Sequence, residues 1–334
     1  MFLACLALIG GSSAIPFINY YDETPTVLRL MWRNQIASLY GVPFSVYFLY
    51  QVWDTIKWSS VLSWGMLGEA LACSFIRTFA SILYVWSSSF TIVSHAVYLA
   101  NLSGVFLVCV SLVRGKSTHR FEIVGSVIVV AAVLVLINDS SSSKVGEDSG
   151  KGSIVIGDLL ALATTPMWAA FFILNSYLVK RLPSMVCFQI TTFIQMLMQI
   201  AVYFWYFGTG GFVSFDEKRG MFGWASNENI VWSLLVFGPV TCIFGSGGYY
   251  FTASYFPPHI IGTIFLLEPV LGQIFGILLS QDHYPQILTY IGGIGIFIGV
   301  GLTIRGDLLK SNESQTNIIP EEPVDSIHNH SLLS

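Results

Sequence analysis

A carboxylate directly followed by a proline stands in the middle of an apolar run, Phe265-Leu266-Leu267-Glu268-Pro269-Val270. Proline has no N–H to close its helical turn, so it kinks a helix and frees a backbone carbonyl. A carboxylate beside a free carbonyl can hold a cation, a proton or an amine. The competing reading is a packing kink with a neutral, hydrogen-bonded glutamate. Glu69 and Arg77 share another apolar run. Eight residues apart on a helix, they lie roughly 12 Å apart along the axis and within about 80° of one face. Arg29 and Arg33 fall in a third run. Ionisable side chains are expensive in lipid, so they face a cavity or one another. Counting along the runs puts Glu69 and Glu268 at similar depth towards one side, and Arg33 and Arg77 towards the other. Such layers would make a cavity with an acidic floor and a basic ceiling, or simply pair across helices. The acids would sense an ion or amine, and the arginines would hold an anionic part of a substrate. Arg29 can also snorkel to the interface.

Other polar groups are weaker candidates. His95 begins an apolar run, where a lone histidine is more often a satisfied polar contact than a proton carrier. Gly245-Ser246-Gly247-Gly248-Tyr249-Tyr250, preceded by Gly238-Pro239, is poor helix material and is predicted to be flexible or unwound. It would place Tyr249 or Tyr250 on a binding wall, or serve close packing by small residues. No nucleophile–base pair, no metal-ligand spacing and no C-x-x-C pair is present, so neither catalysis, a metal nor a cofactor is expected. Gly293, Gly295, Gly299 and Gly301 lie in an apolar run with no preceding strand, which favours helix packing over a nucleotide loop. Asn138-Asp139-Ser140 fits a glycosylation sequon.

The elements that must position these residues follow from hydropathy. The chain has 334 residues, 54% of them hydrophobic and only 10% charged, against about 25% charged in soluble domains. This composition predicts an all-α polytopic membrane protein. Apolar stretches long enough to span fall near 1–18, 25–50, 61–84, 89–113, 121–137, 154–178, 184–207, 230–254, 259–280 and 286–304. The first could pass for a signal peptide, but it lacks a basic n-region and reads as a retained span. The five cysteines (Cys5, Cys73, Cys109, Cys187, Cys242) read as small buried apolar residues. There is no basic stripe for nucleic acid.

The ten stretches divide into two sets of five, at 1–137 and 154–304. They are joined by the Ser/Gly-rich linker 138–153 and followed by a polar tail, 305–334, predicted to be disordered. Sliding the chain by about 167 positions lays Gly125 on Gly292 and Asn101 on Glu268. With the N-terminus cytoplasmic, that side carries Lys57, Arg114, Lys116, Arg120, Lys180, Arg181, Arg305 and Lys310. The other side carries Lys144, Lys151, Lys218 and Arg219. This bias puts both ends in the cytoplasm. An odd number of spans per half then makes the two halves inverted repeats.

The second half resembles a known family. Gly157-Asp158-Leu159-Leu160-Ala161-Leu162 with Met167-Trp168-Ala169 is similar to the opening helix of a second EamA repeat. Phe265 to Val270 resembles its Glu-Pro helix, and Asp282 followed by Ile291-Gly292-Gly293 resembles its last turn and helix. Pro25 followed by Arg33 resembles the second helix of the first repeat. The departures are Asn101-Leu102, where a proline is often seen, and Gly115-Lys116 in place of an acidic turn. The resemblance, to EamA-like transporters of the drug/metabolite transporter superfamily, implies about ten transmembrane helices as two inverted five-helix repeats and alternating-access transport. The expected function is secondary transport of a small polar metabolite. The alternatives are a nucleotide-sugar antiporter of internal membranes and a non-transporting scaffold or receptor. The candidate substrate- or ion-binding residues are Glu268, Glu69, Arg77, Arg33, Asn101, His95 and Tyr249. A small-molecule substrate and the lipid bilayer are the expected partners, nucleic acid is not, and homodimer formation is left open.

Overall fold

The computed structural model describes residues 2–21, 24–61, 63–88, 90–91, 93–115, 118–137, 154–208, 210–279 and 287–316. Among them the secondary structure is helical throughout, with no strand. The principal helices are α1 (Phe2–Ser12), α2 (Ala14–Ile18), α3 (Thr26–Val52), α4 (Trp58–Val61), α5 (Trp64–Ser87), α6 (Val93–Ala100), α7 (Ser103–Val113) and α8 (Arg120–Ile137). They continue with α9 (Ile154–Leu178), α10 (Ser184–Phe207), α11 (Trp232–Gly247), α12 (Gly248–Ala253), α13 (Pro258–Ile264), α14 (Glu268–Leu278) and α15 (Ile287–Thr316). Seven helices or helix pairs among the described residues are long and apolar enough to cross a membrane. The bent pair Ala4–Ser12 and Ala14–Tyr21, which turns by 41°, makes an eighth if it counts as one span. Their outward faces carry large apolar side chains such as Phe75, Leu159, Phe193 and Phe297, as lipid contact requires.

Local sequence sets the helix ends. Pro25 and Pro183 hold extended backbone (ψ 141° and 140°) immediately before α3 and α10. The Ser63 hydroxyl accepts from the Met66 N–H at 3.3 Å and caps α5. Gly208, at φ +71°, ends α10.

The helices pack in pairs: α1 on α11, α5 on α9, α3 on α10, α7 on α13 and α8 on α15. Small residues set several close crossings. A Cβ on Gly104 would stand 2.6 Å from the Gly262 carbonyl carbon and the Thr263 nitrogen. One on Gly125 would stand 2.5 Å from the Gly299 oxygen. In the second pair Gly125 meets Gly299, and further along Gly292 meets Ala132, so α8 and α15 run antiparallel. Backbones this close gain dispersion contacts that larger side chains would prevent.

Several expectations are revised. The glycine-rich segment ending at Gly247 is helical rather than unwound. All of α11 runs in wide π turns, through Pro239. Gly245 is needed there because its backbone lies against Gly10 and Gly11 of α1. The expected disordered tail begins too early, because α15 continues unbroken to Thr316. The linker 138–153 and residues 317–334 lie outside the described residues. Cys73, Cys187 and Cys242 are buried as expected, whereas Cys5 and Cys109 are exposed. The polar segment 208–229 folds back on the bundle. Trp32 Nε1 donates to the Gly220 carbonyl at 3.0 Å, and Trp224 Nε1 donates to Gln35 Oε1 at 2.6 Å.

Candidate functional site

Two spans break where they border one cavity. Between α6 and α7 the chain turns at Asn101-Leu102. At the break, side chains add to the backbone bonds that the Val97 and Leu99 carbonyls already accept from the Asn101 and Leu102 N–H groups, at 3.2 Å and 3.4 Å. Asn101 Nδ2 donates to the Val97 carbonyl at 3.0 Å, and Thr165 Oγ1 donates to the Leu99 carbonyl at 2.7 Å. Between α13 and α14 a single 3-10 turn, Phe265–Leu267, intervenes. Pro269 then occupies the first turn of α14, where its missing N–H is no loss. The Glu-Pro pair therefore starts a new helix, and its carboxylate lies at a helix N-terminus, where negative charge is favoured.

These breaks open on one small chamber of about 40 Å³. Glu268, Asn101, Arg33, Tyr249, Tyr84 and Trp168 line it, with Gly11 and Ser81. Glu268 is 6% exposed. Its Oε1 accepts from the Tyr249 hydroxyl at 2.5 Å, and Asn101 is its other side-chain hydrogen-bond partner. Gly11 backs the carboxylate so closely that a Cβ there would collide with Glu268 Oε1. Across the chamber Arg33 donates from Nη2 to Ser246 Oγ at 2.7 Å, while its Nε is buried without a partner. Among the described residues neither Glu268 nor Arg33 has an ion-pair partner. The aromatic wall is ordered: Trp168 stacks on Tyr249 with centroids 6.2 Å apart at 24°, and Tyr249 packs on Phe265 at 4.3 Å. The chamber thus presents one acid, one base, one amide, three hydroxyl groups and aromatic faces.

The other sequence candidates lie elsewhere. Arg77 is 3% exposed and is absent from the chamber lining. Its Nη1 donates to the Tyr250 hydroxyl at 3.1 Å, and its guanidinium lies over the rings of Phe171 (5.6 Å) and Tyr250 (5.4 Å). Tyr250 bonds Thr191 Oγ1 in turn at 2.6 Å. So Tyr249 faces the chamber and its neighbour holds Arg77 behind it. Glu69 is not part of an acidic floor. It forms a two-pronged pair with Arg181, with both contacts at 3.1 Å, where the side chains are 29% and 35% exposed. Helix counting puts it level with Glu268, but the α9–α10 turn supplies its partner, Arg181, away from the chamber. His95 falls in α6, and its side chain lies outside the described residues. Arg29 donates to the Thr24 carbonyl at 2.7 Å and to Asn19 Oδ1 at 3.3 Å, near the end of α2. Sequence reasoning assigned no site role to Trp168, Tyr84, Ser246 or Gly11. The available signals were the paired Gly10-Gly11 in the first span and Trp168 opposite the tyrosine pair.

Residues 155–305 match the model of the EamA-like transporter family. Those residues, a little under half of the chain, are similar to the EamA-like transporters of the drug/metabolite transporter superfamily. This EamA-like chain is an integral, multi-pass membrane protein. No curated protein matches it. A solved structure described as "Crystal structure of protein" aligns over 92% of this chain and 99% of its own, with TM-score 0.59 and 14% identity. At that identity the likeness concerns the fold alone, and it extends over the first half as well as the half that the family model matches.

Proposed function

We propose that this EamA-like chain is a secondary transporter that moves a small polar metabolite by alternating access, with the chamber around Glu268 and Arg33 as the solute site. The observation that carries this reading is a buried acid and a buried base that face one cavity without pairing. A scaffold would neutralise Glu268 in a tight salt bridge, whereas its partners are a tyrosine hydroxyl and Asn101. At about 40 Å³ the chamber holds about one water. A metabolite therefore enters only when the surrounding helices part, as alternation between two open forms requires.

Ten spans as two inverted repeats, 1–137 and 154–304, are part of the proposal. The bent pair and the seven long spans, with α3 and α8 added, make ten. Numbered in order, span one packs on eight and six on three, while two packs on seven, four on nine and five on ten. That pairing is what a two-fold axis between halves produces. The Gly125–Gly299 and Ala132–Gly292 contacts also exchange under the 167-residue shift. A nucleotide-sugar antiporter would bring both arginines to the phosphates, and only Arg33 lines the chamber. The experiment is solute uptake into liposomes carrying the purified chain, screened across metabolite classes with and without a pH gradient. Accumulation of one class above protein-free liposomes is expected. No accumulation of any class would overturn the reading.

A further inference from the structure

We propose a second site, separate from the solute chamber: a groove at one end of the bundle that takes the phosphate-bearing headgroup of an anionic lipid. The groove encloses about 500 Å³ between the segment after α3 (Val52–Lys57) and the α9–α10 turn (Val179–Pro183). Three of its lining residues are cationic, Lys57, Lys180 and Arg181, and none is acidic. Arg181 is neutralised by Glu69 at the rim. Lys57 and Lys180 have no ion-pair partner among the described residues, and Lys180 lies only over the Tyr177 ring, at 5.7 Å. Asp54 is exposed and does not line the groove. Two positive charges therefore face one concavity without counter-charge.

Apart from Thr55, the rest of the wall is apolar: Val52, Ile56, Val61, Val179, Leu182 and Pro183. A merely solvated cluster of lysines at a membrane surface would not need such a wall. A free phosphate would use the lysines and leave the wall wet. A phospholipid uses both, with the phosphate on Lys57 and Lys180 and the upper acyl chain on the valines and leucine. The depth also fits. Trp53 and Trp58 pack with ring centroids 4.6 Å apart, tilted by 56°, beside the groove, and Trp64 is 87% exposed. Tryptophans gather at the level of the headgroups. On the orientation that the Lys/Arg bias gives, this is the cytoplasmic end, where the leaflet is anionic.

The test uses the full chain in detergent, with native mass spectrometry of bound dioleoyl-phosphatidylserine and dioleoyl-phosphatidylcholine. The serine lipid should be retained and the choline lipid should not. One lysine near an anionic headgroup is worth about fivefold in affinity, so Lys57→Gln with Lys180→Gln should weaken binding by about 30-fold. The control Arg114→Gln removes an exposed cation outside the groove and should change it less than twofold. If the double variant unfolds, the exposed Lys57→Gln alone must give about fivefold. Equal retention of both lipids, or unchanged binding in the lysine variants, would overturn the proposal. Displacement of the lipid by equimolar glycerophosphoserine would also overturn it, by making the groove a site for soluble phosphate.

Discussion

Gly11→Ala tests how the carboxylate is held. A Cβ on Gly11 would overlap Glu268 Oε1, approach Glu268 Cδ to 3.0 Å and the Tyr249 hydroxyl to 3.2 Å. The Glu268 atoms in its way end a side chain that borders the chamber, so the carboxylate has to shift. Overpacking of this kind costs about 1–3 kcal/mol. Alanine returns about 1 kcal/mol through helix propensity. The net loss of stability is then about 0–2 kcal/mol, small enough for the protein to reach its membrane. The site suffers more. A displaced carboxylate loses its hydrogen bond from Tyr249, and a charged hydrogen bond is worth about 1.5–3 kcal/mol. If the solute meets Glu268 in this geometry, uptake should fall by roughly 10- to 150-fold, since 1.36 kcal/mol is tenfold. Glu268→Asp withdraws the carboxylate by one methylene, so the double variant Gly11→Ala/Glu268→Asp should transport better than Gly11→Ala alone. Uptake within twofold of wild type in Gly11→Ala, or a double variant that merely adds both defects, would refute the argument.

Other outcomes follow from the same geometry. Glu268→Gln should reach the membrane with its melting temperature unchanged or raised, because a charge at a span centre costs about 2.5–3.5 kcal/mol. Uptake should drop, and what remains should lose its pH dependence; full uptake with unchanged pH dependence would leave Glu268 a packing residue. Arg77 has aromatic and hydroxyl partners but no acid among the described residues, so Arg77→Met should fold about as stably as wild type while Arg77→Ala leaves a cavity and loses about 2–5 kcal/mol, read by thermal unfolding. In a background lacking the exposed Cys5 and Cys109, Thr55→Cys and Ser214→Cys should label from opposite faces of a sealed vesicle; labelling from one face would contradict the assigned orientation.

The meeting of Asn101 and Glu268 was legible in the sequence, because it follows from counting. The 167-residue shift brought Asn101 onto Glu268, and both residues line the chamber. The Glu-Pro break was legible as well, from the N–H that Pro269 lacks, although Pro43 and Pro166 lie inside unbroken helices. The face of each helix was not. Glu69 and Arg77 share α5, and a rotation of about 80° was enough to place one at the rim and the other behind Tyr250. Their partners, Arg181 and Tyr250, stand 112 and 173 positions away, beyond any local pattern. Composition also misjudged α11. Glycine and proline weaken a helix in water, but here Gly245 and Gly248 pay back through close contact with α1, and wide π turns accommodate Pro239. The tail was read as disordered from its polarity, yet α15 carries its helix to Thr316.

The central claim is that the chamber opens in turn to the two sides of the membrane. Ser81 lines it and is small enough to exchange for cysteine in a background without Cys5 and Cys109. Ser81→Cys protein in sealed vesicles is treated with a membrane-impermeant thiol reagent from one side or the other, with wild-type Ser81 in the same background as the control for the buried cysteines. The account predicts modification from both sides, each slowed by the solute identified in the uptake screen. Modification from neither side, or from one side only whether or not solute is present, would contradict it.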